Sequence, residues 1–185
     1  MSVRSQATCM TAVCVSLLFG ASAATQPKEQ IEIQKEGIQL IGQVEDSARD
    51  IRYNADRLSA LAQSTMISKW SHNHHLAQIR SIVNEGLQPA FNRLMEIQSQ
   101  LPAWKQQSIN KMLQSAKALA GDTNSAILSS KAAGTIPPAM NAEYRQLIAN
   151  INQHAETLVK TADAAGDYAN QALKASEAAA EAPGK

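Results

Sequence analysis

Apolar residues recur along this chain at alternating steps of three and four, in four long segments separated by short breaks. That spacing holds one side of an α-helix apolar and leaves the other side polar. The first segment shows it most clearly. Ile41, Val44, Ala48, Ile51, Ala55, Leu58, Ala62 and Thr65 form one row, and Glu45, Asp46, Arg49, Asp50, Arg52, Asp56 and Arg57 fill the positions between. Upstream, Gly37 and Gly42 each cost about 1 kcal/mol relative to Ala inside a helix, so the residues before Ile38 are expected to fray or bend.

The second segment places Leu76, Ile79, Val83, Leu87, Ala90, Leu94, Ile97 and Leu101 in its row, with Pro89 inside it. Proline lacks the amide donor and crowds the preceding turn, which predicts a kink near Gly86 to Pro89. Leu101-Pro102 ends the segment, because the residue before a proline avoids the helical region. The third segment starts at Ala103-Trp104 and aligns Ile109, Met112, Ala116, Leu119, Thr123 and either Ala126 or Ile127. Gly134 and the pair Pro137-Pro138 stop it. The fourth row reads Tyr144, Leu147, Ile151, His154, Leu158, Thr161, Ala165, Tyr168 and Ala172.

No strand alternation competes with these patterns. The predicted fold class is all-α: helices over 34–67, 71–100, 103–131 and 139–180 in a bundle spanning 25–182, followed by a disordered tail at 183–185. Short connections between long helices make neighbours antiparallel, so an up-down-up-down four-helix bundle is expected. Rods of roughly 30 residues would be about 45 Å long. The first and fourth segments exceed the middle two at the same end. There, either the start of the first pairs with the alanine-rich end of the fourth, or both fray.

Residues 1–24 change the picture of where such a bundle works. Arg4, a mostly apolar run from Met10 to Phe19 and the small residues Gly20 to Ala24 are the three parts of a secretory signal. The run is too short to span a bilayer, which takes roughly 20 apolar residues, and no later stretch qualifies. The expected product is therefore exported, periplasmic or secreted, without a transmembrane segment after cleavage. Cleavage also removes Cys9 and Cys14, the only two cysteines. Cys14 lies inside the apolar run, which argues against lipid attachment, and no disulfide remains to staple the mature chain. About 160 residues can bury roughly two thirds of their unfolded surface without one.

Of 17 basic residues only Arg4 lies in the leader, which leaves 16 against 16 acidic ones. A nucleic-acid binder normally carries a clustered basic excess, so no nucleic-acid partner is expected. The mature chain has no Cys-x-x-Cys-His for covalent haem, no Glu-x-x-His pair for a di-iron centre, and no Gly-x-Ser-x-Gly, His-Glu-x-x-His or phosphate loop. No catalytic residue and no cofactor is predicted.

One cluster has chemical capacity: His72, His74 and His75, next to Trp70 and downstream of Met66. His72 and His75 are three apart and share a helix face, a spacing that suits copper, zinc or nickel. Two ligands make a weak site. The competing reading is that neutral histidines and Trp70 cap the end of the helix assembly. His154 interrupts an apolar row and reads as a core histidine bonded to a backbone carbonyl or water. Trp70 and Trp104 mark the starts of the second and third helices. Each either covers an end or, exposed, anchors a partner.

Trp104-Lys105-Gln106-Gln107-Ser108-Ile109 through Leu119-Ala120-Gly121-Asp122-Thr123-Asn124-Ser125-Ala126-Ile127 is similar to a recurring segment of uncharacterised exported all-helical proteins of soil bacteria, such as acidobacteria. His72 with Leu76-Ala77-Gln78-Ile79-Arg80-Ser81-Ile82-Val83-Asn84-Glu85-Gly86 resembles that family's second helix. Ala103 stands where the family has proline, Trp70 lies one residue nearer His72 than usual, and Pro89 is unusual there. The resemblance implies an exported four-helix fold and carries no activity. The chain is expected to be a structural or protein-interaction module of the cell envelope, with an unknown protein partner or self-association. The alternative is a small periplasmic metal-binding protein using His72, His74 and His75.

Overall fold

The computed structural model describes residues 26–181; the expected leader over 1–24 and the expected tail over 183–185 lie outside them. Within these residues the protein is all-helical, with no strand. Helix α1 covers Gln26–Leu61. Helix α2, Lys69–Ile82, runs through a π turn at Val83–Leu87 into α3, Gln88–Ile97, and a 3-10 turn at Gln98–Gln100, so these pieces form one rod. Helix α4 covers Ala103–Ala132, and α5 covers Ala142–Glu181 after a 3-10 turn at Pro138–Met140.

The start of α1 is helical eight residues ahead of the expected boundary, and cross-helix contacts hold it. Gln30 Nε2 donates to the Gln100 carbonyl at 2.7 Å, and Glu36 pairs with Arg93 at 2.6 Å. At its other end α1 stops at Leu61, and Thr65, expected in the buried row, is exposed in the loop. The predicted kink at Gly86 to Pro89 takes the form of the π turn, in which the Gln88 amide donates to the Val83 carbonyl. Gly86 packs closely against α1 there. A Cβ on it would lie 2.6 Å from Ser47 Oγ of α1, closer than real contacts allow.

One apolar core draws on all four rods. From α1 come Ile41, Val44, Ile51 and Leu58; from the second rod Leu76, Ile79, Leu87 and Leu94; from α4 Ile109, Met112 and Leu119. The row on α4 also takes in Lys105, Thr123 and Ser130, all buried. Val83 differs from its expected place. It opens the π turn and is half-buried, packed at the edge of the core, while Phe91 lies within the core.

The row on α5 is the main correction. The buried residues are Tyr144, Ile148, Ile151, Ala155, Leu158, Ala162, Ala165 and Ala169. Leu147, His154 and Thr161 are half-buried flanks, whereas Tyr168 and Ala172 are exposed. Both rows satisfy the three-four spacing. Where the two rows differ, the buried one holds Ile148, Ala155, Ala162 and Ala169 against Leu147, His154, Thr161 and Tyr168, so the polar side chains of His154, Thr161 and Tyr168 stay at the edge of the core or outside it.

Candidate functional site

The two loops after α1 and after α4 are each built by local rules. Backbone bonds from Ala62 to Leu58 and from Ser64 to Leu61 close α1, and Ser68 Oγ accepts the Ser71 amide to start α2. Gly134 sits at φ +59, a left-handed conformation that glycine takes at little cost, just past the end of α4. Asn141 Oδ1 then accepts the Glu143 amide at 2.9 Å and caps α5. Lys69 joins the two loops, its Nζ donating to the Gly134 carbonyl at 3.0 Å and the Lys131 carbonyl at 3.4 Å. A cation there also complements the carbonyl end of the α4 dipole.

Around this junction the large apolar side chains face outward. Met66 is 93% exposed, Trp70 73%, Met140 59% and Ile136 56%. Trp70 therefore does not cover the end of the assembly, as one reading of the sequence had it. It stacks on His74, with ring centroids 5.4 Å apart and planes 15° from parallel. Leu128, one turn back along α4, is exposed as well.

The three histidines diverge. His72 turns inward, fully buried, and its Nδ1 lies 3.0 Å from the Tyr144 hydroxyl. The two rings meet edge to face at 5.5 Å. His72 Nε2 has no hydrogen-bond partner. His75 Nδ1 lies 3.0 Å from Asn54 Oδ1 of α1, and His74 stays outside against Trp70. The Nδ1 atoms of His72 and His75 are thus engaged with different helices, and Met66 stands out in the loop. Among the described residues no group of three or more His, Cys, Asp or Glu is placed to hold a metal ion.

Burial holds the His72 imidazole below its ordinary range, and His75 adds to the effect. His75 is lowered by burial first, then by His74 and Arg57. The neutral forms are favoured in the folded state, so as pH falls through the ordinary histidine value of 6.5 the unfolded chain binds protons that the folded one resists. Stability is expected to be full above that pH and to decline below it. The thermal midpoint followed by circular dichroism should be flat from pH 8 to pH 7 and fall from about 6.5 to 5.5. His72→Asn should flatten that fall, and an unchanged slope would exclude His72 as its source.

At the start of α4, Trp104 is half-buried and meets Tyr168 edge to face at 4.4 Å. Lys105, almost wholly buried, has its ammonium 5.5 Å from the Trp104 ring, and burial lowers its pKa. His154 does not bond to a core carbonyl. Its Nε2 lies 3.4 Å from Asp122 Oδ2 on α4. Arg49 bridges Glu45 and Asp163 across α1 and α5; burial and the Asp163 carboxyl raise the Glu45 pKa, while Asp163 is lowered. None of these groups forms a nucleophile–base pair beside an enclosed cavity.

No known protein family matches the chain, and neither characterised proteins nor solved structures offer a match. No described helix is long and apolar enough to cross a membrane.

Proposed function

We infer that the protein is an exported, non-catalytic module of the cell envelope that binds a protein partner through the end formed by its two long loops. The observation that carries this reading is the exposure of Met66, Trp70, Ile136 and Met140 around the Lys69 junction. Apolar side chains gathered at one place on a surface are a mark of association. Tryptophan and methionine are also enriched at interfaces, where a few such residues carry most of the energy.

We also propose that the helices form an up-down-up-down bundle, an arrangement that brings the two loops to one end. Partners along α1 and the second rod run in opposite senses: Gln30 with Gln100, Glu36 with Arg93, Asn54 with His75. The same holds for α1 and α5 through Arg49 with Asp163 and Asp56 with Asn152. It holds for α4 and α5 through Asp122 with His154 and Trp104 with Tyr168. The leader-like residues 1–24 and the similarity to exported helical proteins support the location.

A photo-crosslinking residue at Met66 in intact cells is expected to yield one discrete higher-mass product, with none from a control at Asn110 on the flank of α4. Trp70→Ala should weaken that association by about 2 kcal/mol or more, roughly 30-fold. Monomer alone from both positions would contradict the proposal.

A further inference from the structure

Between the second rod and α4 lies a groove of about 350 Å³ whose walls include Val83, Leu87, Phe91, Met95 and Leu113, with Lys117 as its one charged residue. It is remote in sequence from the two loops, and the inference drawn from it is independent of the function proposed for them. The geometry points to a binding site for a single-chain amphiphile: a free medium-chain carboxylate whose alkyl chain lies along Phe91, Met95 and Leu113 and whose head faces Lys117.

Three observations carry this. The groove runs along the π turn at Val83–Leu87, and half-buried Val83 lines it while still packing against the core. Such π turns inside α-helices are rare and recur at functional sites. The walls are mostly apolar, with Phe91 as a nearly buried floor and Met95 as a rim that is 52% exposed. Small-molecule sites have this character, within a range of about 300–1,000 Å³, and a volume at the low end suits a medium chain better than a two-chain lipid. The third observation is charge. No carboxylate lines the groove, and Lys117 has no ion-pair partner among the described residues, so the site is complementary to one negative charge. Asn84 and Gln88 also line the groove and offer amide donors to a carboxylate.

Calorimetric titration of the intact protein with sodium dodecanoate, kept below micelle-forming concentration, tests the assignment. The expected result is one site per chain. Lys117→Met should weaken binding about fivefold, the size of a partly exposed ion pair, and dodecanol should bind the parent protein more weakly than dodecanoate. Ala120→Trp, at a half-buried position on the groove wall, should abolish binding. Met95→Glu on the exposed rim provides a second block that leaves the core untouched, and should weaken binding by a similar or larger factor. Absence of saturable binding to the parent protein would overturn the proposal. So would dodecyltrimethylammonium binding as tightly as dodecanoate, or Met95→Glu binding as the parent does.

Discussion

Truncation of Tyr144 to Ala is expected to lower the unfolding free energy by ~3–5 kcal/mol, the cost of emptying a large aromatic site in a packed core. For a domain whose margin is about 5–15 kcal/mol, that is enough to leave much of the protein unfolded at moderate temperature. Tyr144 is fully buried in the first turn of α5, and its ring and hydroxyl both meet His72 of α2, so it fastens two helices that are distant in sequence. Burial raises its pKa, which keeps the phenol neutral and able to donate. Tyr144→Phe separates the two contributions. It keeps the ring and removes the one partner of a histidine whose Nε2 is already unsatisfied, at an expected cost of ~1–3 kcal/mol. Adding His72→Leu should recover part of that loss, because an apolar pair leaves no polar group stranded. Urea unfolding of the three variants checks the set, and a Tyr144→Phe protein within 0.5 kcal/mol of the parent (about the scatter of neutral surface changes) would refute the role given to the hydroxyl.

Ala162→Leu is the second large effect. Ala162 is fully buried in the core-facing row of α5, and extra methylenes there overpack the core, at about 1–3 kcal/mol. Thr161→Leu and His154→Leu occupy the competing row that the sequence alone favoured. Both side chains are half-buried on the flank, and both substitutions should change stability by about 0.5 kcal/mol or less. Denaturation midpoints compared at constant slope decide between the rows. If Thr161→Leu proves as damaging as Ala162→Leu, the buried face of α5 is the other one.

The contrast between α1 and α5 shows what a three-four pattern can reveal. Along α1 the alternatives to Ile41, Val44, Ile51 and Leu58 are mostly charged, so the buried face was legible from spacing. Along α5 apolar residues stand side by side, as in Leu147-Ile148, Leu158-Val159 and Ala164-Ala165, and two adjacent rows fit equally. Spacing alone does not separate them, and the buried row is the one that leaves His154 and Thr161 on the flank. His72, Lys105 and Ser130 continue buried rows at the correct spacing and escaped because their side chains are polar. Val83 moved for a different reason: a π turn inserts a residue into the period, and no repeat of three and four anticipates it.

Less of the candidate site could be read. The histidine cluster was visible as a run of residue types, but the divergence of its members depends on Tyr144 and Asn54, far away in the chain. The exposure of Trp70 depends on whether the α4–α5 loop lies over it, which is a tertiary matter with no local sign. The groove beside α4 had no signal either, because it lies along a π turn that no three-four repeat anticipates.

We propose that both long loops share one end of an antiparallel bundle and together form its apolar contact face. Spin labels at Gln63 and Thr135, exposed positions of the two loops, measure this directly once Cys9 and Cys14 are replaced by serine. The expected separation is within about 20 Å, two helix spacings. A separation near 45 Å, the length of a rod of roughly 30 residues, would put the loops at opposite ends and contradict it.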